Sequence, residues 1–117
     1  MRQDDRRVLQ RFQISGGKVK YRLAEGPESI VKLIDISKNS VRFQMKEILA
    51  NGDQVNLEII LPSHEAIELS GRVVWTSMAK GSQPAHAAVQ FVPFSTEEIR
   101  TIPAYRQLDS ILRTLED

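Results

Sequence analysis

Apolar residues recur at every second position over most of this 117-residue sequence. Between Val41 and Met45, for example, apolar side chains alternate with Arg42 and Gln44. Successive residues of a β-strand point to opposite faces, so this period predicts strands with one buried and one exposed face. Six strands are predicted, at about residues 18–23, 29–36, 41–47, 54–61, 66–77 and 85–93. Turn-forming residues separate them, and the short spacings favour an antiparallel barrel over alternating strands and helices.

The C-terminal segment changes to a helical period. Ser95 and Glu98 form a capping box, which predicts a short helical turn from Thr96. Pro103 suits the first turn of a second helix. An apolar stripe at helical spacing follows, formed by Leu108, Ile111, Leu112 and Leu115. We expect this stripe to pack on the protein's own barrel or, as the alternative, to form a homodimer.

The charges are unevenly distributed along the chain, although the net charge is only +1. Residues 1–22 hold seven Arg or Lys against two Asp, a net charge of +5. This distribution is consistent with a basic N-terminal arm that captures an anion. A solvated N-terminal segment without such a role would carry the same charge, so both interpretations stay open at this point.

Two short polar segments are the candidate binding elements. The first contains Arg7 and Arg11, four residues apart, with Arg6 as a further cation beside them. Arginine can bind anionic oxygens through two parallel hydrogen bonds and can lie flat on an aromatic base. The second is the turn at residues 35–40, Asp-Ile-Ser-Lys-Asn-Ser, whose aspartate and first serine point to the same side. Together they predict a site for a flat, anionic, hydrogen-bonding ligand such as a nucleotide.

These two segments resemble the Arg-x-x-x-Arg and Asp/Asn-x-Ser-x-x-Gly motifs of PilZ domains, which bind cyclic di-GMP in bacteria. Three downstream segments continue the resemblance, at residues 52–62, at 71–75 (Gly-Arg-Val-Val-Trp) and at 88–91 (Ala-Val-Gln-Phe). The order and spacing are similar to those of the family from about residue 6 to residue 94. Ser40 and Ala88 stand where the family usually has glycine.

The resemblance implies an all-β fold with a C-terminal helix, namely a six-stranded antiparallel split β-barrel. It divides the chain into a basic arm (1–17), a barrel (18–94) and a helical segment (95–117). It also implies a non-catalytic cyclic di-GMP receptor without a cofactor, which orders its arginine-rich arm on binding and signals to an effector protein. The ligand-binding residues that it implies are Arg6, Arg7, Arg11, Asp35, Ser37, Asn39 and Ser40.

The resemblance also suggests a role for each group. The arginines would contact phosphate or guanine N7 and O6, or stack on guanine. Asp35 would accept hydrogen bonds from the Watson–Crick edge of guanine, and Ser37 would add a hydroxyl contact. A glycine at position 40 would allow a positive φ or a close approach of the ligand. With Ser40 there, strain at that position is one expectation, and a left-handed Asn39 that preserves the turn is the other.

Alternatives from other functional classes remain open. Asp35 and Ser37 are also common residues of ordinary turns. Ser40 favours a degenerate adaptor that contacts proteins without binding the nucleotide. RNA or DNA binding is not expected, since such proteins stack bases on several exposed aromatic residues and the aromatic content here is 6%.

Several other functions find no support in the sequence. The chain has no cysteine, so it offers neither a disulfide nor a thiolate. His64 and His86 lack a second ligand at metal-like spacing, and no nucleophile elbow or phosphate loop is present. We therefore expect neither a metal site nor catalysis, and we expect Trp75 to pack in the core or at its rim. A polar start and the lack of a long apolar run predict a cytoplasmic protein without membrane insertion.

Overall fold

The computed structural model describes residues 10–23, 25–92 and 102–115. Within them, six antiparallel strands close into a barrel and one helix follows. The elements are β1 (Lys18–Leu23), β2 (Ser29–Ile36), β3 (Ser40–Gln44), β4 (Gln54–Ile60), β5 (Ile67–Ser77), β6 (His86–Phe91) and α1 (Pro103–Leu115). The strand order around the barrel is β1-β2-β3-β6-β5-β4. The predicted fold, a six-stranded antiparallel barrel with a C-terminal helix, is confirmed.

The barrel interior is filled by alternate side chains of every strand, as the period of two predicts. The largest fully buried side chains of the strands include Tyr21, Phe43, Phe91, Ile36, Ile59 and Ile67. Burial of side chains of this size contributes roughly 1.5–3 kcal/mol each to stability. The other residue set of each strand faces outward, so a ligand site built from polar strand residues must lie on the outer face or at an end.

The helix α1 covers part of the barrel. Its buried face consists of Tyr105, Leu108, Ile111 and Leu112. The Tyr105 ring lies 6.3 Å from the ring of Phe91 on β6, measured between centroids. Leu115, the last residue of the predicted stripe, is exposed, and no finding supports a homodimer through this helix. The turn predicted from Thr96 lies outside the described residues.

The strand β3 ends earlier than predicted, at Gln44 rather than near residue 47. The reason is a contact with β1. The Tyr21 hydroxyl accepts the main-chain N–H groups of Lys46 and Glu47 at 2.8 and 2.7 Å and donates to the Glu47 carbonyl at 2.8 Å. These three bonds draw residues 46 and 47 away from the strand and fix them beside the barrel.

Two β-bulges change which residues face each other across the sheet. The pairing of β2 with β3 shifts between Leu33 and Asp35, and the pairing of β5 with β6 shifts between Val73 and Trp75. One extra residue in a strand reverses the face of the residues that follow it. Trp75 is therefore 42% exposed, although its position in the alternation assigned it to the core or its rim.

Candidate functional site

The turn between β2 and β3 is closed by the side chain of Ser37. This residue is fully buried, and its Oγ accepts the main-chain N–H groups of Asn39 and Ser40 at 3.3 and 3.2 Å. The hydroxyl donates in turn to Asn39 Oδ1 at 2.8 Å. Ser37 thus performs the ordinary turn-capping role that was one of the two expectations for it. Its hydroxyl is used by the protein itself.

Arg11 lies against this turn. Its Nε donates to Asp35 Oδ1 at 2.6 Å, and its Nη1 donates to Ser40 Oγ at 2.7 Å and more weakly to Ser37 Oγ at 3.4 Å. The neighbouring residue fixes the chain in this place, because Phe12 and Ile36 exchange both main-chain hydrogen bonds, at 2.8 and 2.9 Å. Arg11, at the end of the arginine-rich segment, is therefore attached to the barrel in this structure.

Asp35 joins two arginines from different parts of the chain. Besides Arg11, it binds Arg42, whose Nε donates to both carboxylate oxygens at 3.0 Å and whose Nη2 donates to Oδ2. Burial would raise the pKa of Asp35, but the bonds from Arg42 and Arg11 outweigh it and lower the pKa below its ordinary value. The carboxylate stays charged and holds both guanidinium groups on one side of the barrel.

Arg42 is a functional candidate that the sequence motifs do not include. Its position in the alternation marked it only as an outward-facing residue of β3. The bulge between Leu33 and Asp35 places Asp35 directly opposite Arg42, with their Cα atoms paired. The sequence does place an arginine on the strand that follows Asp35, and this was the signal that could have identified it. The alternation of apolar residues does not reveal the bulge that brings the two side chains together.

The structure brings five of the seven predicted site residues together: Arg11, Asp35, Ser37, Asn39 and Ser40. Arg6 and Arg7 lie outside the described residues. Besides the side-chain bond to Ser37, Asn39 contributes through its main chain, because its carbonyl accepts the N–H of Phe91 at 2.8 Å. The turn is therefore tied to β6 as well as to the arm.

The expected left-handed conformation is absent from this turn. Among the described non-glycine residues, only Ser63 has a positive φ, at 66°. Neither Asn39 nor Ser40 therefore adopts it, and both expectations based on positive φ are wrong. Ser40 is the first residue of β3, and the Ser37 hydroxyl supplies the acceptor that closes the turn.

Replacing Ser40 by glycine should therefore destabilise the fold rather than relieve strain. We expect Ser40→Gly to lower the free energy of unfolding by about 0.5–1 kcal/mol, because glycine loses more conformational freedom in a strand. Ser40→Ala keeps the Cβ atom and removes only the hydroxyl, so it is the matched control and should lose less. Urea unfolding measures both. A Ser40→Gly variant more stable than the parent would contradict the observed backbone.

The same turn is connected to α1 by an ion pair. Lys38 Nζ lies 3.1 Å from Asp109 Oδ1, and Arg113 Nε donates to Asp109 Oδ2 at 2.9 Å. Burial would raise the pKa of Asp109, but Arg113 and Lys38 outweigh it and lower the pKa below its ordinary value. Because the side chains of Lys38 and Asp109 are each 18% exposed, solvent screens this pair only in part.

The lowered pKa values predict a loss of stability in acid. The folded state binds these protons less readily than the unfolded state, whose aspartates titrate near a pKa of about 3.9. The stability that the charged forms of Asp35 and Asp109 contribute is fully present above that pKa. It is lost as the pH falls through the lower pKa values of the folded state. We expect Asp109→Asn to flatten part of the fall in unfolding free energy, measured by denaturant unfolding between about pH 6 and 2. Asp53→Asn is the control, and an equal slope in Asp109→Asn and the parent would contradict the assignment.

Other sites in the described part of the chain are few. Residues 10–23, 25–92 and 102–115 contain no group of three or more His, Asp or Glu placed to hold a metal ion. No helix among these residues is long and apolar enough to cross a membrane. A groove of about 560 Å³ crosses the outer face of β1, β4 and β5, where Lys20, Asn56 and Ser70 line it. It contains none of the predicted site residues.

Comparison with known proteins gives a family and a fold. The model of the PilZ domain family matches residues 2–107. No curated protein sequence matches the chain. Solved structures of 16–18% identity share the fold.

Three of the similar structures are informative. YcgR from Escherichia coli in complex with c-di-GMP has 17% identity and a TM-score of 0.70, over 92% of this chain and 44% of that one. The isolated PilZ domain of YcgR with c-di-GMP has 16% identity and a TM-score of 0.68, over 92% of this chain and 88% of that one. The K. pneumonia MrkH–c-di-GMP complex has 18% identity and a TM-score of 0.64, over 92% of this chain and 53% of that one. The chain thus spans about half the length of the longer proteins, and nearly the whole isolated domain.

Proposed function

The chain belongs to the PilZ domain family, and from that premise we propose that it is a receptor for cyclic di-GMP. PilZ domains are receptors rather than catalysts, so the prediction that the chain is not an enzyme is confirmed. The observation that carries the proposal is the position of Arg11. A cation from the N-terminal arm meets Asp35 and Ser40 at the turn where the family's two motifs would meet.

The geometry of Arg11 supports ligand binding at this position. Its guanidinium group is oriented by three oxygen atoms through Nε and Nη1, and no described contact engages Nη2. The side chain is 31% exposed, so part of it is accessible to a ligand. A fixed guanidinium loses less conformational entropy on binding than a free one. We propose that Arg11 binds a phosphate or a guanine acceptor through its Nη2 group.

Asp35 has a different role in the proposal from the one first expected. Both of its oxygens are engaged by Arg11 and Arg42, and the residue is 4% exposed. A carboxylate in that condition is poorly available to the Watson–Crick edge of guanine. We propose instead that Asp35 holds the two arginines in a fixed orientation toward the ligand.

Signalling to an effector protein is the finer part of the proposal. Arg11 contacts the barrel in the structure, and the proposed ordering of the arginine-rich arm on binding rests on the charge of the arm and its position ahead of the first strand. The turn contacts α1 through Lys38 and Asp109. The Asn39 carbonyl accepts the main-chain N–H of Phe91, whose ring lies 6.3 Å from that of Tyr105 on the helix. A ligand that shifts the turn would therefore shift the docking of α1 and change the surface offered to a partner. A cytoplasmic location belongs to the same proposal.

One observation favours the second candidate function, an adaptor that does not bind the nucleotide. Ser40 replaces the family's glycine, and its hydroxyl accepts a hydrogen bond from Arg11. The Ser40 hydroxyl and the Nη1 of Arg11 are thereby bonded to each other and not to a ligand. In the adaptor, Arg11, Asp35 and Ser40 would only stabilise the fold, and the protein contacts alone would carry the function.

Calorimetric titration of the full chain distinguishes the two candidates. The receptor proposal predicts saturable binding of cyclic di-GMP, with GTP and cyclic di-AMP bound much more weakly. No binding at millimolar ligand would reject it for this protein. Binding gained in Ser40→Gly alone would then assign the loss to position 40 and establish the adaptor candidate.

A further inference from the structure

The groove on the outer face of β1, β4 and β5 is crossed by one straight row of side chains. Arg22 on β1 is paired with Asn56 on β4, and Asn56 is paired with Ser70 on β5. Val92 continues the row after β6, because its main-chain N–H donates to the Ser70 carbonyl at 2.9 Å. Neighbouring strands lie about 4.8 Å apart, so the row extends over roughly 14 Å. All four residues line the groove, whose volume of about 560 Å³ is large enough to hold a ligand.

The chemistry of this row changes from a cation at one end to an apolar wall at the other. Arg22 is exposed, and no ion pair engages it within the described part of the chain. The Asn56 side chain only accepts a weak bond from the Ser70 hydroxyl at 3.5 Å, so its Nδ2 remains a donor for a ligand. Val92 is 43% exposed, and the half-buried Ile102 ahead of α1 lines the same end.

A second row beside the first carries an excess of negative charge. Lys20 Nζ lies 3.5 Å from Glu58 Oε1, and Glu58 is paired directly with Glu68 on β5. Like charges that face each other across a sheet are unfavourable, and Lys20 neutralises only one of the two carboxylates. Glu68 is exposed and makes no ion pair with any described residue. A cation supplied by a partner would relieve this repulsion.

The charges of the groove favour a peptide over an anionic polymer or a membrane. Three carboxylates line it against two cations: Glu28, Glu58 and Glu68 against Lys20 and Arg22. Such a surface does not attract the phosphates of nucleic acid or of lipid headgroups. An extended peptide offers main-chain carbonyls to an amide donor and side chains of either charge at fixed spacing. At about 3.3 Å per residue, about four of its residues cover the row.

We propose that this groove binds an extended segment of a partner protein, in which an acidic and an aliphatic side chain lie about three or four residues apart. The acidic side chain pairs with Arg22, and the aliphatic one packs on Val92 and Ile102. Asn56 donates to a main-chain carbonyl between them, and a basic side chain of the segment pairs with Glu68. This proposal rests on the signalling part of the proposed function, which requires a protein partner, and not on nucleotide binding.

The apolar end of the groove is connected to the turn between β2 and β3. The Ile102 carbonyl accepts the main-chain N–H of Arg106 at 3.2 Å, so Ile102 moves with the first turn of α1. The same helix is held to the turn by Lys38 and Asp109. A ligand that shifts α1 therefore changes the apolar end of the groove. By linkage, the partner segment must change the affinity for that ligand by the same factor.

Selection from a display library of random seven-residue peptides, without nucleotide, tests the groove. Peptides are selected on the parent protein and counter-selected on Ser70→Tyr, which fills the middle of the groove with a side chain that suits a strand. We expect the enriched peptides to carry Asp or Glu about three or four residues from Leu, Ile or Val. No enrichment over Ser70→Tyr, or enriched peptides without an acidic residue, would overturn the proposal.

Charge reversal assigns the acidic position of the peptide to Arg22. A synthetic copy of the most enriched peptide should bind Arg22→Glu about tenfold more weakly than the parent, measured by calorimetry. Selection repeated on Arg22→Glu should replace the acidic residue by Lys or Arg. Lys32→Glu, at an exposed cation of β2 that does not line the groove, is the matched control. An equal loss in both variants would overturn the assignment, because it would reflect net charge alone.

Two further results keep this proposal separate from other readings of the face. Sedimentation equilibrium of the parent should show a monomer, and a dimer that Ser70→Tyr dissociates would assign the groove to a second copy of the chain. Peptide binding by a parent protein that does not bind cyclic di-GMP would reject the receptor proposal alone. Cyclic di-GMP binding without peptide enrichment would reject the groove alone.

Discussion

Replacing Asp35 by alanine is expected to cause the largest combined loss of stability and ligand affinity. The change leaves Arg11 and Arg42 side by side without the anion that holds them. We expect the free energy of unfolding to fall by about 2 kcal/mol, below the value for a fully buried pair because both arginines are partly solvated. Cyclic di-GMP affinity should fall roughly a hundredfold, since neither guanidinium keeps its orientation.

Two further variants separate charge from side-chain size. Asp35→Asn keeps one acceptor oxygen and should lose less stability than Asp35→Ala. Asp53→Ala removes a carboxylate that binds only the N–H of Ala50 among the described residues, so it should leave ligand affinity unchanged. Urea unfolding and calorimetry provide the two readouts. Parental affinity in Asp35→Ala would mean that the carboxylate does not organise the site.

Replacing Arg11 by alanine is expected to reduce affinity strongly with little effect on the fold. Charge-assisted hydrogen bonds contribute about 1.5–3 kcal/mol each, so affinity should fall roughly 10- to 150-fold. Asp35 keeps Arg42 in this variant, and Arg11 is partly exposed, so the free energy of unfolding should change by less than about 1 kcal/mol. Arg11→Lys should also lose affinity, because an ammonium group offers neither the fork nor the plane of a guanidinium.

The other arginines provide the comparison. Arg7→Ala should weaken binding on the same scale as Arg11→Ala, as the spacing of the two residues predicts. Arg113→Ala on α1 removes a mostly exposed arginine outside the turn and serves as the control for charge. Calorimetry measures the cyclic di-GMP affinity of each variant. Equal affinity of Arg11→Ala and Arg113→Ala would remove Arg11 from the binding site.

The contrast between the predicted and the observed strand faces explains what the sequence could and could not reveal. The alternation located all six strands, because burial of one face is a local property of each segment. It assigned Trp75 to the core or its rim, since Trp75 has the same parity as Ile67 and Leu69. The bulge after Val73 reverses that parity and is produced by the pairing with β6, which the local pattern does not contain.

The candidate site shows the same limit. Its aspartate, serines and first arginine were recognisable because the motifs lie in short segments with fixed spacing. Arg42 was not, because its role depends on the bulge that sets it opposite Asp35. The early end of β3 was not predicted either, since it results from the hydroxyl of Tyr21, more than twenty residues earlier in the chain.

Chemical-shift mapping by NMR shows directly whether cyclic di-GMP binds at Arg11 and the β2–β3 turn. On titration with cyclic di-GMP, we predict progressive shifts of the main-chain amides of Arg11, Ser37 and Ser40. Gly26, in the hairpin between β1 and β2 at the other end of the barrel, should not shift. Saturable binding whose shifts instead fall on the groove of Lys20, Asn56 and Ser70, with Arg11 and the turn unchanged, would contradict the account.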